Sequence, residues 1–489
     1  MQSDPVPTTR PASTRPAEQA AKPAKRPSGP FAPQPKARDP KIDARHCGHL
    51  LRRAAFGPTP DRYERFLPMT PEERVDALFD FDPASDVGGL NAFREQARAL
   101  FDIRRNINSV VEWWFHRMMQ TPFPLQERVA LFWHDHFATS GSKVGRADWM
   151  FDQTELFRTH GLGSFRELVL RVGRQPAMLR WLDGNNSRKG SPNENYGREI
   201  MELFCLGVGQ YEERDIQELA RAFTGWRIRG RSSDFNRGNH DDGEKVLFKG
   251  KPYEQRGNFN DEQAADAILK HPAAPRFIAR RLLETFVHRE PSEEHVEHYA
   301  NRLLAEGWQI RPVLKQMLAS QFFHSEASHR ARVKSPIELA VGACKAASAN
   351  PRAGFLRDTT SRMGQRLLFP PNVAGWEGGT AWINSTTVIE RFRFCRQLGE
   401  HGFNEFVESG LRSYLQGSKL QSADDVIDAL AVLMLDGEID DDLRVRMRDY
   451  MNLNRENKPE DFRLDGRRYN DKVRGLVQLL ASSPVYQLA

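Results

Sequence analysis

Two histidines at the end of a predicted helix are the first residues in this chain that could carry out chemistry. They lie in the run Phe132-Trp133-His134-Asp135-His136-Phe137. In a helix His134 and His136 are two positions apart and point about 200° away from each other, so they cannot share one metal ion unless the helix ends there. The structural alternative is that one imidazole, positively charged, caps the C-terminus of the helix.

A second set of polar residues follows Pro192. Glu199 and Glu202 are three positions apart on one predicted helical face, which is how helical proteins build acidic metal sites. Asn193 or Asn195 can cap this helix. Arg198 lies beside the carboxylates, and an Arg–Glu ladder between neighbouring helices explains the same residues equally well.

The run His240-Asp241-Asp242-Gly243-Glu244-Lys245 lies in a long loop. His and Asp are suitable ligands for a divalent metal ion, but Asp next to Gly also forms turns that need no ligand. One hypothesis is therefore a metal-dependent hydrolase, in which a divalent ion activates water. Its candidate ligands are His134, His136, Glu199, Glu202, His240 and Asp241.

Tryptophans in irregular segments favour a different function, which is binding. The run Phe369–Gly379 is rich in Pro and Gly, and Trp next to Gly on such a loop can offer a flat face to a sugar ring. Packing of the same loop onto the core is the alternative. Arg188-Lys189-Gly190, ahead of a helix start, could hold an anion. The candidate binding residues are Asn193, Asn195, Arg198, Trp226, Asn372, Trp376, Trp382 and Asn384.

The elements that must position these residues are predicted to be helices. Thr70-Pro71-Glu72-Glu73 combines a capping Thr, a Pro at the first helical position and a Glu at the third. Long helical patterns include Ala92–Met119 and Leu125–Phe137. Strand-like runs at Trp226–Arg229 and Val246–Phe248 allow at most a small β-hairpin. The sequence predicts a mainly α fold, a multi-helix single large globular domain with long irregular loops.

Charge and composition divide the chain into a tail and a body. Residues 1–45, rich in Pro, Ala and Lys, contain nine basic and four acidic residues, about +5 of the net charge of +6. Such a tail is predicted to be disordered, and the near-neutral remainder argues against nucleic-acid binding. Residues 46–489 are predicted to form the helical domain, with a C-terminal subdomain from about residue 402.

No run of apolar residues is long enough to span a membrane, and no signal peptide precedes the tail. A cytoplasmic location is therefore expected from the sequence as written, and an exported or periplasmic one if the true start lies upstream. The four cysteines are scattered, which excludes a thiolate zinc ribbon. The oligomeric state is left open.

Taken in order, these motifs resemble domain-of-unknown-function family 1800, a family of mostly helical bacterial proteins. The resemblance extends from about His46 to the C-terminus, through seven segments. One departure is Phe204-Cys205, where many relatives carry His-Thr. The segments are His49–Gly57, Phe132–Ser140, Asn193–Gly207, Ala220–Trp226, His240–Lys245, Pro371–Trp376 and Ala381–Asn384.

The resemblance implies a cellular location and a partner protein, but no particular reaction. Members of the family are often exported, and often look paired with a sulfatase-like protein of domain-of-unknown-function family 1501. Phe204 would count against a metal site anchored on its helix if the usual His were an essential ligand. The preferred hypothesis is therefore a helical accessory or binding protein that acts with a sulfatase-like envelope partner, and the metal-dependent hydrolase is the alternative.

Overall fold

Helices make up most of the structure, which confirms the mainly α prediction. It is a computed structural model that describes residues 28–83, 99–400, 410–417, 420, 422–454, 456, 458–460, 462 and 469–489. Within these ranges no helix is both long enough and apolar enough to cross a membrane.

The first helices begin where the sequence places capping residues. Thr70 and Glu73 form the predicted capping box at the start of α3. Asn193 caps α10 by accepting a hydrogen bond from the backbone N–H of Asn195, and a π-helical turn, Ile200–Cys205, continues α10. These helices are α1 (Pro40–Ala55), α2 (Pro60–Phe66), α3 (Pro71–Phe79), α4 (Ile107–Gln120), α5 (Pro124–His136), α6 (Gly141–Val144), α7 (Ala147–His160), α8 (Phe165–Arg174), α9 (Pro176–Trp181), α10 (Glu194–Glu199) and α11 (Glu213–Ala222).

The later helices follow the same capping rules. Ser335 and Glu338 form a capping box at α16, and Asn384 caps α18 together with Thr387. The helices are α12 (Asp261–Leu269), α13 (Ala273–Phe286), α14 (Glu293–Ala305), α15 (Ile310–Ala319), α16 (Pro336–Ala346), α17 (Ala353–Arg362), α18 (Ser385–Gly399), α19 (Gly410–Gly417), α20 (Ala423–Leu435), α21 (Asp441–Asn452) and α22 (Tyr469–Ser482).

The β structure consists of two hairpins in the described ranges, and the two strand-like runs of the sequence do not pair with each other. β1 (Trp226–Arg229) pairs with β2 (Ser232–Phe235), and β3 (Lys245–Leu247) pairs with β4 (Gln255–Gly257), both antiparallel. The partner strands are polar and carry little strand signal, so the sequence pattern did not reveal them.

Two predicted boundaries differ from the structure. α1 begins at Pro40, inside the predicted tail, because Asp39 accepts from the backbone N–H of Lys41 and Pro occupies the first turn. The helix predicted over Ala92–Met119 is interrupted: residues 99 and 100 are helical, residues 101–106 are not, and α4 begins at Ile107, where Asn106 caps it. The part of this prediction before residue 99 lies outside the described residues, as do residues 1–27. The C-terminal subdomain stays a prediction.

α5 passes through the centre of the helical body, and nearly all of its side chains are buried. Its Glu127 lies between Arg117 of α4 and Arg158 of α7, all three buried. On the other side Arg128 contacts the carboxylate of Glu338 in α16 at 2.7 Å. These ion pairs fix the helix whose last turn carries His134, Asp135 and His136.

Candidate functional site

A cleft of about 380 Å³ lies where the last turns of α5 and α13 meet the segment 331–338 and the loop 376–382. This volume is within the range of small-molecule sites in proteins. Its walls carry two tryptophans, several guanidinium groups and several carboxylates. Its lining residues include Asp135, Arg281, Glu284, Arg289, Arg332, Glu338, Gln365, Trp376, Gly378, Gly379 and Trp382.

The first wall of the cleft is the loop that carries Trp376. The backbone N–H of Trp376 donates to Oδ1 of Asp135 at 2.8 Å, and its ring meets His134 edge-on with 5.6 Å between centroids. Gly375 has φ 82°, and a Cβ there would lie 2.4 Å from Oδ1 of Asp135. Only glycine allows the loop to approach α5 this closely.

Trp382 forms the facing part of the loop and is held by the start of α18. The hydroxyl of Thr387 donates to the carbonyl of Trp382 at 2.9 Å, while Asn384 accepts from the backbone N–H of Thr387 at 3.0 Å. Trp376 and Trp382 are 9% and 8% exposed, so only an edge of each indole reaches the cleft. Neither indole N–H donates to any residue that the structure describes.

The charges of the cleft are arranged in opposite-sign groups. At its base Glu338 contacts Arg128 at 2.7 Å and Arg332 at 3.4 Å, and these arginines outweigh burial and lower the pKa of Glu338. Arg281 lies 3.8 Å from Asp135 and 3.5 Å from Glu284. Burial raises the pKa of Asp135, with Arg281 opposing it.

Arg289 borders the mouth of the cleft and is packed against glycine. Its Nη2 donates to the carbonyl of Glu377 at 3.2 Å. Gly378 and Gly379 both have positive φ, 74° and 57°, and a Cβ at Gly379 would lie 3.4 Å from Nε of Arg289. The positive φ values favour glycine at both positions, and the space beside Arg289 would admit a Cβ in ordinary contact.

His134 and His136 occupy separate buried positions. Nε2 of His134 accepts from the backbone N–H of Leu368 at 3.2 Å, whereas Nε2–H of His136 donates to the carbonyl of Phe204 at 2.9 Å. Burial lowers the pKa of each ring to about 3. Both are therefore neutral at pH 7, and the predicted role of a charged imidazole at the helix C-terminus is wrong.

The acidic pair on α10 and its π-helical turn contacts neighbours in the fold. Glu202 accepts from the hydroxyl of Tyr211, and Arg198 pairs with Glu213 of α11 at 2.6 Å. Burial and the nearby Glu202 raise the pKa of Glu199. The Arg198–Glu213 pair is a contact of the predicted ladder type between neighbouring helices.

His240 and Asp241 fasten the long loop to the end of α11. Nδ1–H of His240 donates to the carbonyl of Thr224 at 2.9 Å. Both oxygens of Asp241 accept from Arg221, at 2.9 and 3.1 Å, and this arginine lowers the pKa of Asp241 to about 2. These contacts account for both residues without a ligand.

The remaining predicted binding residues are placed apart from the cleft or at its edge. Asn193 and Trp226 line a second cavity of about 10 Å³. The indole N–H of Trp226 donates to Asp261 at 3.0 Å, and Asn195 is exposed. Asn372 closes a turn by accepting from the backbone N–H of Ala374 at 2.9 Å.

The structure thus brings Trp376 and Trp382 into one cleft and leaves Trp226 outside it. In the part of the chain that is described, no three His, Cys, Asp or Glu side chains are grouped to hold a metal ion. Sequence reasoning missed Asp135 and Arg281 as cleft residues. Asp135 lies within the first motif, but Arg281 stands in an ordinary amphipathic helix and gives no signal.

The protein is therefore a mainly helical one, with a cleft lined by two tryptophans and several charged side chains. The family model described as "Protein of unknown function (DUF1800)" matches residues 49–488. The chain belongs to this family, as its motifs predicted. No curated protein and no solved structure matches it.

Proposed function

We propose that this chain is a binding protein whose ligand is a neutral, hydroxyl-bearing ring, such as a saccharide unit, held in the cleft between Trp376 and Trp382. The observation that carries the proposal is the pair of indole edges in a cleft of about 380 Å³. The edge of an indole carries apolar C–H groups and one N–H donor, so it suits a ligand that has both C–H and hydroxyl groups on its ring.

The charge arrangement of the cleft supports a neutral ligand. Arg281 stands between the carboxylates of Asp135 and Glu284, and Glu338 is matched by Arg128 and Arg332. Neither sign of charge is left in clear excess. A hydroxyl group donates one hydrogen bond and accepts two, so it can bridge a carboxylate and a guanidinium, whereas an ionised ligand would meet like charges.

Support for binding is stronger than support for metal-dependent hydrolysis. Of the candidate ligands, Asp241 is engaged by Arg221, His240 by Thr224, and Glu202 by Tyr211. His134 and His136 are engaged by backbone groups of different segments. A metal ion would have to displace these contacts, while a ring ligand in the cleft displaces none of them.

We expect Trp382→Ala to weaken binding of a neutral oligosaccharide about 30-fold, since buried tryptophan anchors contribute about 2 kcal/mol or more. Trp382→Phe, which keeps most of the packing and removes the N–H donor, should weaken it about 5- to 10-fold. Calorimetric titration of the purified chain with gluco-, galacto- and manno-configured oligosaccharides is the measurement.

Trp226→Phe is the matched control, because its indole N–H is used by Asp261 outside the cleft. The proposal fails if no neutral oligosaccharide binds at millimolar concentration, or if Trp226→Phe and Trp382→Phe weaken binding equally. Hydrolysis that a chelator abolishes and that Glu202→Ala removes would favour the metal-dependent alternative instead.

The proposal includes a sulfatase-like protein of family 1501 as the partner. The support for this pairing is the family resemblance alone. An accessory protein that holds a saccharide would present it to such an enzyme, in the envelope if the chain is exported. We expect the two purified proteins to bind with a micromolar dissociation constant, measured by calorimetry. If a mixture of the two proteins shows no heat of binding at about 100 times this dissociation constant, the pairing is contradicted.

A further inference from the structure

A basic surface lies around the β1–β2 hairpin, away from the residues of the cleft, and we call it the hairpin patch. The two turns that form one side of it are joined by a hydrogen bond from the backbone N–H of Lys189 to the carbonyl of Asn239 at 2.7 Å. The hairpin is attached through the backbone N–H of Gly225, which donates to Ser187 at 3.2 Å. Its cations are Arg146, Arg188, Lys189, Arg227, Arg229, Arg231 and Arg237.

The patch has more positive than negative charge. Asp148 is shared by Arg146 and Arg231, at 2.7 and 3.2 Å. Asp234 is likewise shared by Arg227 and Arg229, at 2.8 and 3.6 Å. Two carboxylates therefore serve four guanidinium groups.

Three further cations, Arg188, Lys189 and Arg237, are exposed and form no ion pair with any described residue. The carboxylates near these turns in the sequence that form no ion pair with a described residue are Glu194 and Asp242. Arg174, which packs over Trp226, pairs with Asp261 and Glu262 beside the hairpin. Eight cations thus stand against six carboxylates, an excess of about two positive charges. On a body whose charge is otherwise near neutral, this is a local attraction for anions.

An apolar side chain stands among these cations. Phe235 is 41% exposed, and its ring is fixed by Trp226 and His240, with 5.6 and 5.4 Å between centroids. The cavity beside it has about 10 Å³, too small for a sugar or a nucleobase. A surface with cations around one fixed aromatic ring, beside so small a cavity, fits a flat anionic layer better than a polymer strand.

We propose that the hairpin patch docks the protein reversibly onto a membrane surface rich in anionic phospholipid. Guanidinium groups bind phosphate oxygens in a forked geometry, which agrees with the predominance of Arg over Lys here. Binding through about two net charges is weak and is screened by salt. This inference does not depend on what the cleft holds.

The test is sedimentation of the full-length chain with vesicles of phosphatidylglycerol and phosphatidylcholine, at 50 and 300 mM salt. We expect the triple variant Arg188→Ala, Lys189→Ala, Arg237→Ala to lower the partition coefficient about 100-fold. This estimate assigns a factor of about tenfold or less to each cation that is removed. Phe235→Ser should lower it further, and raising the salt should abolish binding of the natural chain.

The matched control is the triple variant Arg396→Ala, Arg446→Ala, Lys458→Ala, which removes the same charge from outside the hairpin patch. The exposed fractions of these three side chains are 63%, 72% and 71%. This control should bind vesicles nearly as well as the natural chain. Equal loss in both triple variants, or no sedimentation of the natural chain at 50 mM salt, overturns the proposal. So does tighter binding to heparin or DNA than to the anionic vesicles at the same salt.

Discussion

The variant Glu127→Gln is expected to lower the free energy of unfolding by about 3 to 5 kcal/mol, the usual cost of removing one partner from a buried ion pair. Glu127 is completely buried and accepts hydrogen bonds from Arg158 at 2.8 and 2.9 Å and from the indole of Trp114 at 2.8 Å. It also accepts from Arg117. The two arginines lower the pKa of Glu127 although burial opposes them.

Glutamine keeps the shape of the side chain and removes its charge, so Arg117 and Arg158 lose the carboxylate that they share, and Arg158 keeps only its pair with Glu155 among the ion pairs of the described residues. Urea denaturation at pH 7.5 measures the change. Glu213→Gln is the control, because its carboxylate is 59% exposed and its pair with Arg198 is expected to contribute less than about 1 kcal/mol. If the two variants unfold at the same urea concentration, the buried network has no special role in stability.

This network also explains how the cleft is positioned. Glu127 joins α5 to α4 and α7, while Arg128, the next residue, joins α5 to Glu338 in α16. About two turns later, near the end of the same helix, Asp135 holds the Trp376 loop. Because the helix is rigid, a shift at Glu127 moves the cleft wall, so we expect loss of stability and loss of ligand binding to occur together.

Local signals in the sequence predicted the local parts of the fold. The cap at Thr70 and the helix from about Leu125 were predicted because caps and apolar spacing act within a few residues. The start of α4 at Ile107 and the pairing of β1 with β2 were not predicted. Asn106 is one of many possible caps, and β2 has no apolar alternation.

The candidate site was only partly predictable for the same reason. Trp376 and Trp382 stand out in the sequence because a Gly- and Pro-rich loop rarely needs two tryptophans, and the structure does place them in one cleft. Their neighbours Asp135 and Arg281 come from helices far away in the chain. Which helix ends meet is decided by core packing over the whole body, and a single sequence does not show this.

The largest difference between the sequence prediction and the structure is how deeply the histidines are buried. This burial should make the free energy of unfolding depend on pH. We expect the free energy of unfolding to be nearly constant above pH 6.5 and to fall steeply below it. Burial lowers the pKa of His134 and His136 to about 3 and that of His46 to about 4, from an ordinary value of 6.5. His49 and His324 are shifted in the same direction.

The direction of this pH dependence follows from the lowered pKa values. Between pH 6.5 and 4 the unfolded chain binds protons on these rings and the folded chain does not, so acid favours unfolding. Each ring costs about 1.4 kcal/mol per pH unit in that window, and the three rings with the values above together cost on the order of 6 kcal/mol by pH 5. This is comparable with the whole stability of a typical protein.

Carboxylates with lowered pKa values do not contribute to the loss of stability in that window. Asp436 and Glu338 have lowered pKa values through their arginine partners, so their contribution is lost only as the pH falls below the ordinary values near 4. Asp135 and Glu199 have raised pKa values, so they take up protons in the folded chain and can only oppose the loss. A loss of stability between pH 6.5 and 5 therefore reports the histidines. Urea denaturation at half-unit pH intervals from 7.5 to 5 gives the slope of the free energy of unfolding against pH. Divided by about 1.4 kcal/mol, this slope gives the number of protons taken up on unfolding.

His324→Phe separates one ring from the others. Neither ring nitrogen of His324 has a hydrogen-bond partner, and the ring packs against His46 with 4.8 Å between centroids, so phenylalanine removes the titrating group and loses no hydrogen bond. We expect a shallower slope by up to one proton, with stability at pH 7.5 changed by less than about 1.5 kcal/mol. An unchanged slope would mean that His324 is not kept neutral by burial. If the stability of the natural chain does not change between pH 7.5 and 5, none of these histidines is kept neutral by burial. That result would include His134 and His136 at the end of α5 beside the cleft.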